Sequence, residues 1–158
     1  GGTIDDRPIL SVIPGGLSMP HVGADALDTP MTFEAIQEAG SLLGSGGIIV
    51  VCEGENIVEM ARRTVGFYRE ESCGKCTPCR EGTGWMNRVI GRILAGRGKQ
   101  ADMDMIVDVA NKIEGHTICA LGDASAWPVQ SFVHHYRHEF EHYIEHGCSI
   151  VSQQSAAA

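Results

Sequence analysis

Cys73, Cys76 and Cys79 follow one another with two residues between each pair, and a further cysteine, Cys119, comes forty residues after the last of them. Three evenly spaced thiols in one short loop can converge on one small object. A cubane iron-sulfur cluster takes four thiolates, and C-x2-C-x2-C supplies three of them while leaving the fourth to a distant residue. Cys119 is the leading candidate for that fourth ligand. Structural zinc sites usually draw their ligands as two separated pairs, which suits this spacing less well. The bacterial ferredoxin run continues with a Cys-Pro three residues on, and no such pair follows Cys79, so a two-cluster ferredoxin is excluded. A zinc ion and inert or redox-switch thiols stay open as alternatives.

For Cys119 to meet the loop, the chain between must run out and back. The periodicity predicts this. From Asn56, with Glu59 completing a capping-box pattern, Ile57, Met60, Ala61, Thr64, Val65 and Tyr68 recur on one helical face. A second helix leaves the cysteine loop with Trp85, Met86, Val89, Ile90, Ile93 and Leu94 on its apolar side and stops at Gly96 and Gly98. A third, from about Asp102 to Gly115, is expected to bury Met105, Ile106, Val109, Ala110 and Ile113. The last begins between Asp123 and Pro128 and carries Val129, Phe132, Val133, Tyr136, Phe140, Tyr143 and Ile144 as one stripe. Four amphipathic helices with short connections predict an antiparallel bundle whose cysteine loop and Cys119 turn share one end. The helix after Cys79 would aim its N-terminal amides at a negatively charged cluster. Lys75 and Arg80 either add positive charge there or face solvent. Trp85 and Trp127 are read as packing residues.

The first part of the chain follows different rules. Ile9 to Ile13 reads as a short strand closed by Pro14-Gly15-Gly16, and a loop follows. Thr29 or Thr32 would cap a short helix ending near Gly40, with Pro30 acceptable at a first helical position. Gly44-Ser45-Gly46-Gly47 leads into Ile48 to Val51, a buried strand by its β-branched residues. Neither glycine-rich stretch cradles a nucleotide. Ile49 stands where the dinucleotide fingerprint needs its third glycine, and Gln100 and Ile93 occupy obligatory P-loop positions near Gly98-Lys99.

Charge and composition narrow the partners. A net charge of -8, with twelve dispersed Lys and Arg, opposes phosphate backbones, so no nucleic acid is expected. The longest apolar run, Ile48 to Cys52, is far too short to span a bilayer, and the N-terminus lacks signal-peptide features; membrane contact would come through partners, without direct insertion. Thiolate ligands suit a reducing compartment. A start at Gly-Gly and an end at Ser-Ala-Ala-Ala read as a fragment.

One motif competes with the cysteines. His138-Glu139-Phe140-Glu141-His142 matches H-E-x-x-H, the helical signature of zinc hydrolases. Its histidines belong to a stripe, His134, His138, His142 and His146, expected to face solvent opposite the apolar side. Glu145 and Cys148 stand where the extended form needs glycine and histidine. The remote alternative is thus a zinc protein using His138, Glu139 and His142. Cys52 is expected in a core and Cys148 near a frayed tail.

Glu71-Ser72-Cys73-Gly74-Lys75-Cys76-Thr77-Pro78-Cys79-Arg80-Glu81-Gly82, Thr117-Ile118-Cys119-Ala120-Leu121-Gly122-Asp123 and Trp127-Pro128-Val129-Gln130 together resemble the NADH-oxidising, FMN-carrying subunit of respiratory complex I, the F-type subunit of NADH:quinone oxidoreductases. Pro14-Gly15-Gly16 and Leu42 to Gly47 resemble the second half of its ubiquitin-like domain. The resemblance implies an α+β chain: a partial β-grasp (SLBB-type) segment over residues 1–54, a four-helix 4Fe-4S domain over 55–147 and a tail over 148–158. It implies one 4Fe-4S cluster on Cys73, Cys76, Cys79 and Cys119, taking single electrons from FMN and passing them along an iron-sulfur chain toward quinone. FMN and NADH would lie on an N-terminal domain to which nothing here corresponds, so this part of the oxidoreductase would bind neither alone. The implied partners are a thioredoxin-like 2Fe-2S subunit and a large multi-cluster iron-sulfur subunit. The implied location is peripheral, on the cytoplasmic face of a bacterial inner membrane or the mitochondrial matrix side. The equivalent module of an NAD-linked hydrogenase or formate dehydrogenase is the alternative.

Overall fold

The computed structural model describes residues 2–157, and the chain divides into two compact units, residues 1–55 and 56–158. In the first, β1 (Ile9–Ile13) pairs antiparallel with β2 (Val22–Gly23) on one side and with β3 (Ile49–Cys52) on the other, giving the order β2-β1-β3. The dipeptide strand β2 has no signal in the sequence; the buried hydrogen bond between Ser11 Oγ and His21 Nδ1, 2.9 Å, fixes the chain beside β1 just before it. The β3 segment, expected to be wholly buried, is an edge strand. It buries Val51 and Cys52 while Val50 and the preceding Ile48 stay exposed. Helix α1 (Phe33–Glu38) is capped by Thr32, whose hydroxyl accepts the Ala35 N–H over 3.3 Å, so Pro30 lies outside the helix.

The glycine-rich stretches of this unit serve close backbone approach. A Cβ on Gly44 would stand 2.4 Å from the Gly15 carbonyl oxygen, and one on Gly15 would stand 2.2 Å from that of Leu42. The turn after β1 and the loop before β3 therefore touch through their main chains, joined by the Ser45 N–H to Gly15 O hydrogen bond of 3.2 Å. No side chain fits between them.

The second unit consists of α2 (Ile57–Glu71), α3 (Thr77–Leu94), α4 (Ala101–Ile113), α5 (Leu121–His146) and α6 (Ile150–Ala157). Asn56 caps α2 by accepting the Glu59 N–H over 3.1 Å, while the Glu59 carboxylate turns away to pair with Arg63, so only half of the capping box forms. Helix α2 packs on α3 and α5, α3 on α4 and α5, and α4 on α5. Their shared core includes Ile57, Met86, Ile90, Ile93, Ile106, Phe132 and Phe140. Burying such side chains contributes roughly 1.5–3 kcal/mol each, and this is what holds short, individually marginal helices together.

Three expected positions differ. Trp85 is 54% exposed and lies along the outer side of the α3–α4 seam. There a Cβ on Gly82 would come within 2.6 Å of Ile113 Cδ1, so the two helices are too close to admit a large ring between them. In α4 the buried methionine is Met103 and Met105 is exposed, because Met103, Ile106, Ala110 and Ile113 form the inward stripe. Asp102, only 2% exposed, is drawn in with them and paired with Arg92 at the end of α3. Residues 148–158, expected to be a tail, contain α6, with Ser149 Oγ accepting the Ser152 N–H over 3.0 Å at its start.

Candidate metal centre

The cysteine loop spans the gap between α2 and α3. Helix α2 stops at Ser72, whose extended backbone turns the chain outward, and Gly74 follows with φ +77°, a conformation that glycine adopts without cost. Cys76 is the N-cap of α3, with Thr77 and Pro78 at its first positions, so Cys79 lies in the first turn. Pro78 loses nothing here, since the first N–H groups of a helix have no intrahelical partner. Cys79 is buried, Cys76 half-buried and Cys73 exposed.

The fourth cysteine arrives from the other helical connection. Helix α4 ends at Glu114 and Gly115, and the segment 115–120 leads to α5 with Cys119 exposed in it. The Ile118 N–H donates to Cys76 Sγ over 3.4 Å, joining residues 42 apart. Adjacent Cα atoms are about 3.8 Å apart, so this contact places Cys119 at the edge of the cysteine loop. Thr117 Oγ1 donates to the Cys119 carbonyl over 2.9 Å, and Asp123 Oδ1 accepts the Gly115 N–H over 2.7 Å, holding the segment in shape.

A second sulfur contact is local. Ser72 Oγ stands 3.2 Å from Cys79 Sγ and accepts the Gly74 N–H over 3.4 Å. Sequence reasoning misses Ser72, although a hydroxyl between a helix end and a cysteine loop is a signal that could find it. Arg80, expected either to add charge near the cysteines or to face solvent, does something else. It donates to the Gly74 carbonyl over 2.6 Å and pairs with Glu81 at 2.9 Å, so it braces the loop while its charge is matched by a carboxylate. Lys75 is exposed.

Among the described residues no three His, Cys, Asp or Glu side chains gather around one point as ligands of a single ion do. A cubane asks for something else: each thiolate binds a different iron corner, so its sulfurs stand farther apart than four ligands of one zinc. The cysteines form no disulfide; Cys76 Sγ accepts the Ile118 N–H, and a hydroxyl able to donate, that of Ser72, lies beside Cys79 Sγ.

The competing histidine motif is arranged differently from expectation. His134, His138 and His146 are exposed, but His142 is half-buried and Glu139 is only 8% exposed. Neither Glu139 Oε2 nor His142 Nε2 has a hydrogen-bond partner. The motif's carboxyl group is thus turned inward, where burial raises its pKa and the neighbouring His138 and His142 oppose that rise. Among the described residues, the motif's side chains do not gather with a third His, Cys, Asp or Glu as the ligands of one ion do.

Residues 59–143 match the family described as the NADH-ubiquinone oxidoreductase-F iron-sulfur binding region. The chain belongs to this family. Its loop, its α3 and the Cys119 segment all fall inside the matched residues, and the cofactor the family implies is a 4Fe-4S cluster, which the free thiols and the donors aimed at them fit. The chain is 49% identical over 138 residues to an F-type subunit of NADH-quinone oxidoreductase from Rhizobium meliloti, covering 87% of this chain and 32% of that protein. It is 48% identical over 138 residues to the corresponding F-type protein of Rickettsia bellii, with 87% and 33% covered. It therefore spans about a third of the length of these relatives. Among solved structures, an NAD+-reducing [NiFe]-hydrogenase in its H2-reduced state has a similar fold, with TM-score 0.78 at 23% identity over 96% of this chain and 27% of that one.

Proposed function

We propose that this chain is the electron-transfer module of an NADH:quinone oxidoreductase, holding one 4Fe-4S cluster on Cys73, Cys76, Cys79 and Cys119. The observation that carries the reading is the Ile118 N–H to Cys76 Sγ contact, because it puts the Cys119 segment against the three-cysteine loop. When bound, the cluster supplies one-electron chemistry. The chain's own residues shape its site: Cys76 and Cys79 at the start of α3 keep helix amides near the negative charge, Arg80 ties the loop closed, and Thr117 orients Cys119.

In this reading single electrons come from FMN on a part of the full-length protein that this chain does not span, and go on toward quinone. The helices α2–α5 form a four-helix cluster-binding domain over residues 55–147, preceded by a partial β-grasp segment over 1–54 and followed by a tail over 148–158 that carries α6. Its partners are a thioredoxin-like 2Fe-2S subunit and a large multi-cluster subunit, on the cytoplasmic face of a bacterial inner membrane or its mitochondrial equivalent. No helix among the described residues is long and apolar enough to cross a membrane, which supports attachment through such partners. The likeness to an NAD+-reducing hydrogenase keeps the equivalent module of that enzyme class as a second reading.

Iron and sulfide analysis of Cys119→Ser and Cys148→Ser tests the ligand assignment. Cys148→Ser keeps four irons per chain and Cys119→Ser does not. Full iron content in Cys119→Ser with loss in Cys148→Ser would overturn the assignment.

A further inference from the structure

We infer that the Ser72 hydroxyl is a positioning and potential-setting residue: it donates its proton to the Cys79 sulfur and thereby raises the reduction potential of the cluster. The inference rests on Cys79 being a cluster ligand, as proposed above. Three observations support it.

The first is geometry. Ser72 Oγ lies 3.2 Å from Cys79 Sγ, within hydrogen-bonding reach for sulfur, and Cys79 is the most enclosed of the three loop cysteines. Away from bulk water, a single donor acts on a charge with less screening.

The second is direction. A hydroxyl has one proton and two acceptor positions. The Gly74 N–H already occupies an acceptor position of Ser72 Oγ at 3.4 Å, and a ligating cysteine is a thiolate with no proton to give. The Ser72 proton must therefore point at Cys79 Sγ, and Gly74 keeps it there.

The third is placement. Ser72 closes the end of α2, with its N–H bonded to the Tyr68 carbonyl, and Tyr68 is buried. The hydroxyl is thus carried by a packed helix rather than by the open loop. Reducing a cluster adds negative charge that spreads onto its thiolate sulfurs, so a fixed donor favours the reduced state, and hydrogen bonds to the sulfurs are among the levers that set such potentials. The Ile118 N–H plays the same part for Cys76, but a backbone amide cannot be removed without altering the chain.

The test is a potentiometric titration of the cluster's paramagnetic signal in wild type, Ser72→Ala and Ser72→Thr, after iron and sulfide have been counted in each. Ser72→Ala with four irons is expected to lower the reduction equilibrium constant three- to tenfold, about 28 to 59 mV for a one-electron couple. Ser72→Thr, which keeps the hydroxyl, is expected to stay at the wild-type potential. A fully loaded Ser72→Ala at the wild-type potential overturns the inference and leaves the cluster assignment standing. A wild type that takes up no iron and sulfide overturns both. Should Ser72→Ala not hold its cluster, electron-nuclear double resonance on wild type after brief transfer to D2O decides. A rapidly exchanging deuteron coupled to the reduced cluster supports the hydroxyl donor, and its absence overturns it.

Discussion

The Trp127 indole N–H donates to Glu114 Oε1 over 2.7 Å, tying the end of α4 to the second turn of α5. Gln130 Nε2 donates to the other carboxylate oxygen over 2.7 Å, so both oxygens of Glu114 are held by α5. The connection bridged in this way is the one that carries Cys119. The hydrogen bonds from Gln130 and then Trp127 hold the Glu114 pKa below its ordinary 4.5. A depressed carboxylate contributes stability that is present above the unfolded pKa and is lost as pH falls through the folded one. Glu114→Gln is expected to release iron to a chelator severalfold faster than wild type at pH 7, where the Glu114 carboxylate is fully charged. Equal release rates at pH 7 would remove any role for Glu114 in holding the Cys119 segment.

Gly122 leaves no room for a side chain. A Cβ there would stand 2.2 Å from Thr117 Oγ1 and 2.9 Å from Thr117 Cβ, so Gly122→Ala must push away the residue that orients the Cys119 carbonyl. The expected cost is about 1–3 kcal/mol, with iron content falling below that of wild type while helical circular dichroism is kept. Combining it with Thr117→Ala should recover part of the stability, measured by urea unfolding.

Away from the cysteines, Arg92 and Asp102 clamp the α3–α4 turn. Arg92 Nε donates to Asp102 Oδ2 over 3.0 Å and Nη2 to Oδ1, and the Lys99 N–H reaches Oδ2 over 2.9 Å. Arg92→Met leaves an almost fully buried carboxylate with the Lys99 N–H alone, at a cost of about 1–3 kcal/mol in thermal or urea unfolding. The paramagnetic signal of the folded, loaded protein should be unchanged, because the clamp lies at the other end of α3 from Cys76 and Cys79.

Glu139 gives the opposite pH dependence to Glu114. Burial raises its pKa, and a raised carboxyl contributes most below its unfolded pKa of about 4.5 and loses that contribution as pH rises through the folded value. Glu139→Gln removes the charge that must form inside. It is expected to be more stable than wild type at pH 8, with the advantage shrinking as pH falls toward the unfolded value. A variant uniformly less stable across that range would show that the carboxylate has a favourable partner.

Helix ends are the most legible part of the sequence. Asn56 caps α2, and Gly96 and Gly115 leave α3 and α4 with positive φ, because these positions depend on a residue's own backbone chemistry. Helix faces are less legible. Sequence spacing sets the histidine stripe on the solvent side, yet Glu139 of the same motif lies three residues after Tyr136 and four before Tyr143, both buried, and the helix carries its carboxyl group inward with them. Met105 and Met103 likewise differ by a rotation that period alone leaves ambiguous at the first turn of a helix. At the metal centre the spacing of Cys73, Cys76 and Cys79 is plain. Ser72 and Glu114 are not, since their roles depend on partners that only the folded loops bring near.

The most direct test of the cluster assignment is the iron, acid-labile sulfide and zinc content of anaerobically purified protein, with an electron paramagnetic resonance spectrum after dithionite reduction. About four irons and four sulfides per chain, with a reduced-cluster signal, are predicted. Stoichiometric zinc without sulfide, persisting after anaerobic reconstitution with iron and sulfide, would contradict the assignment.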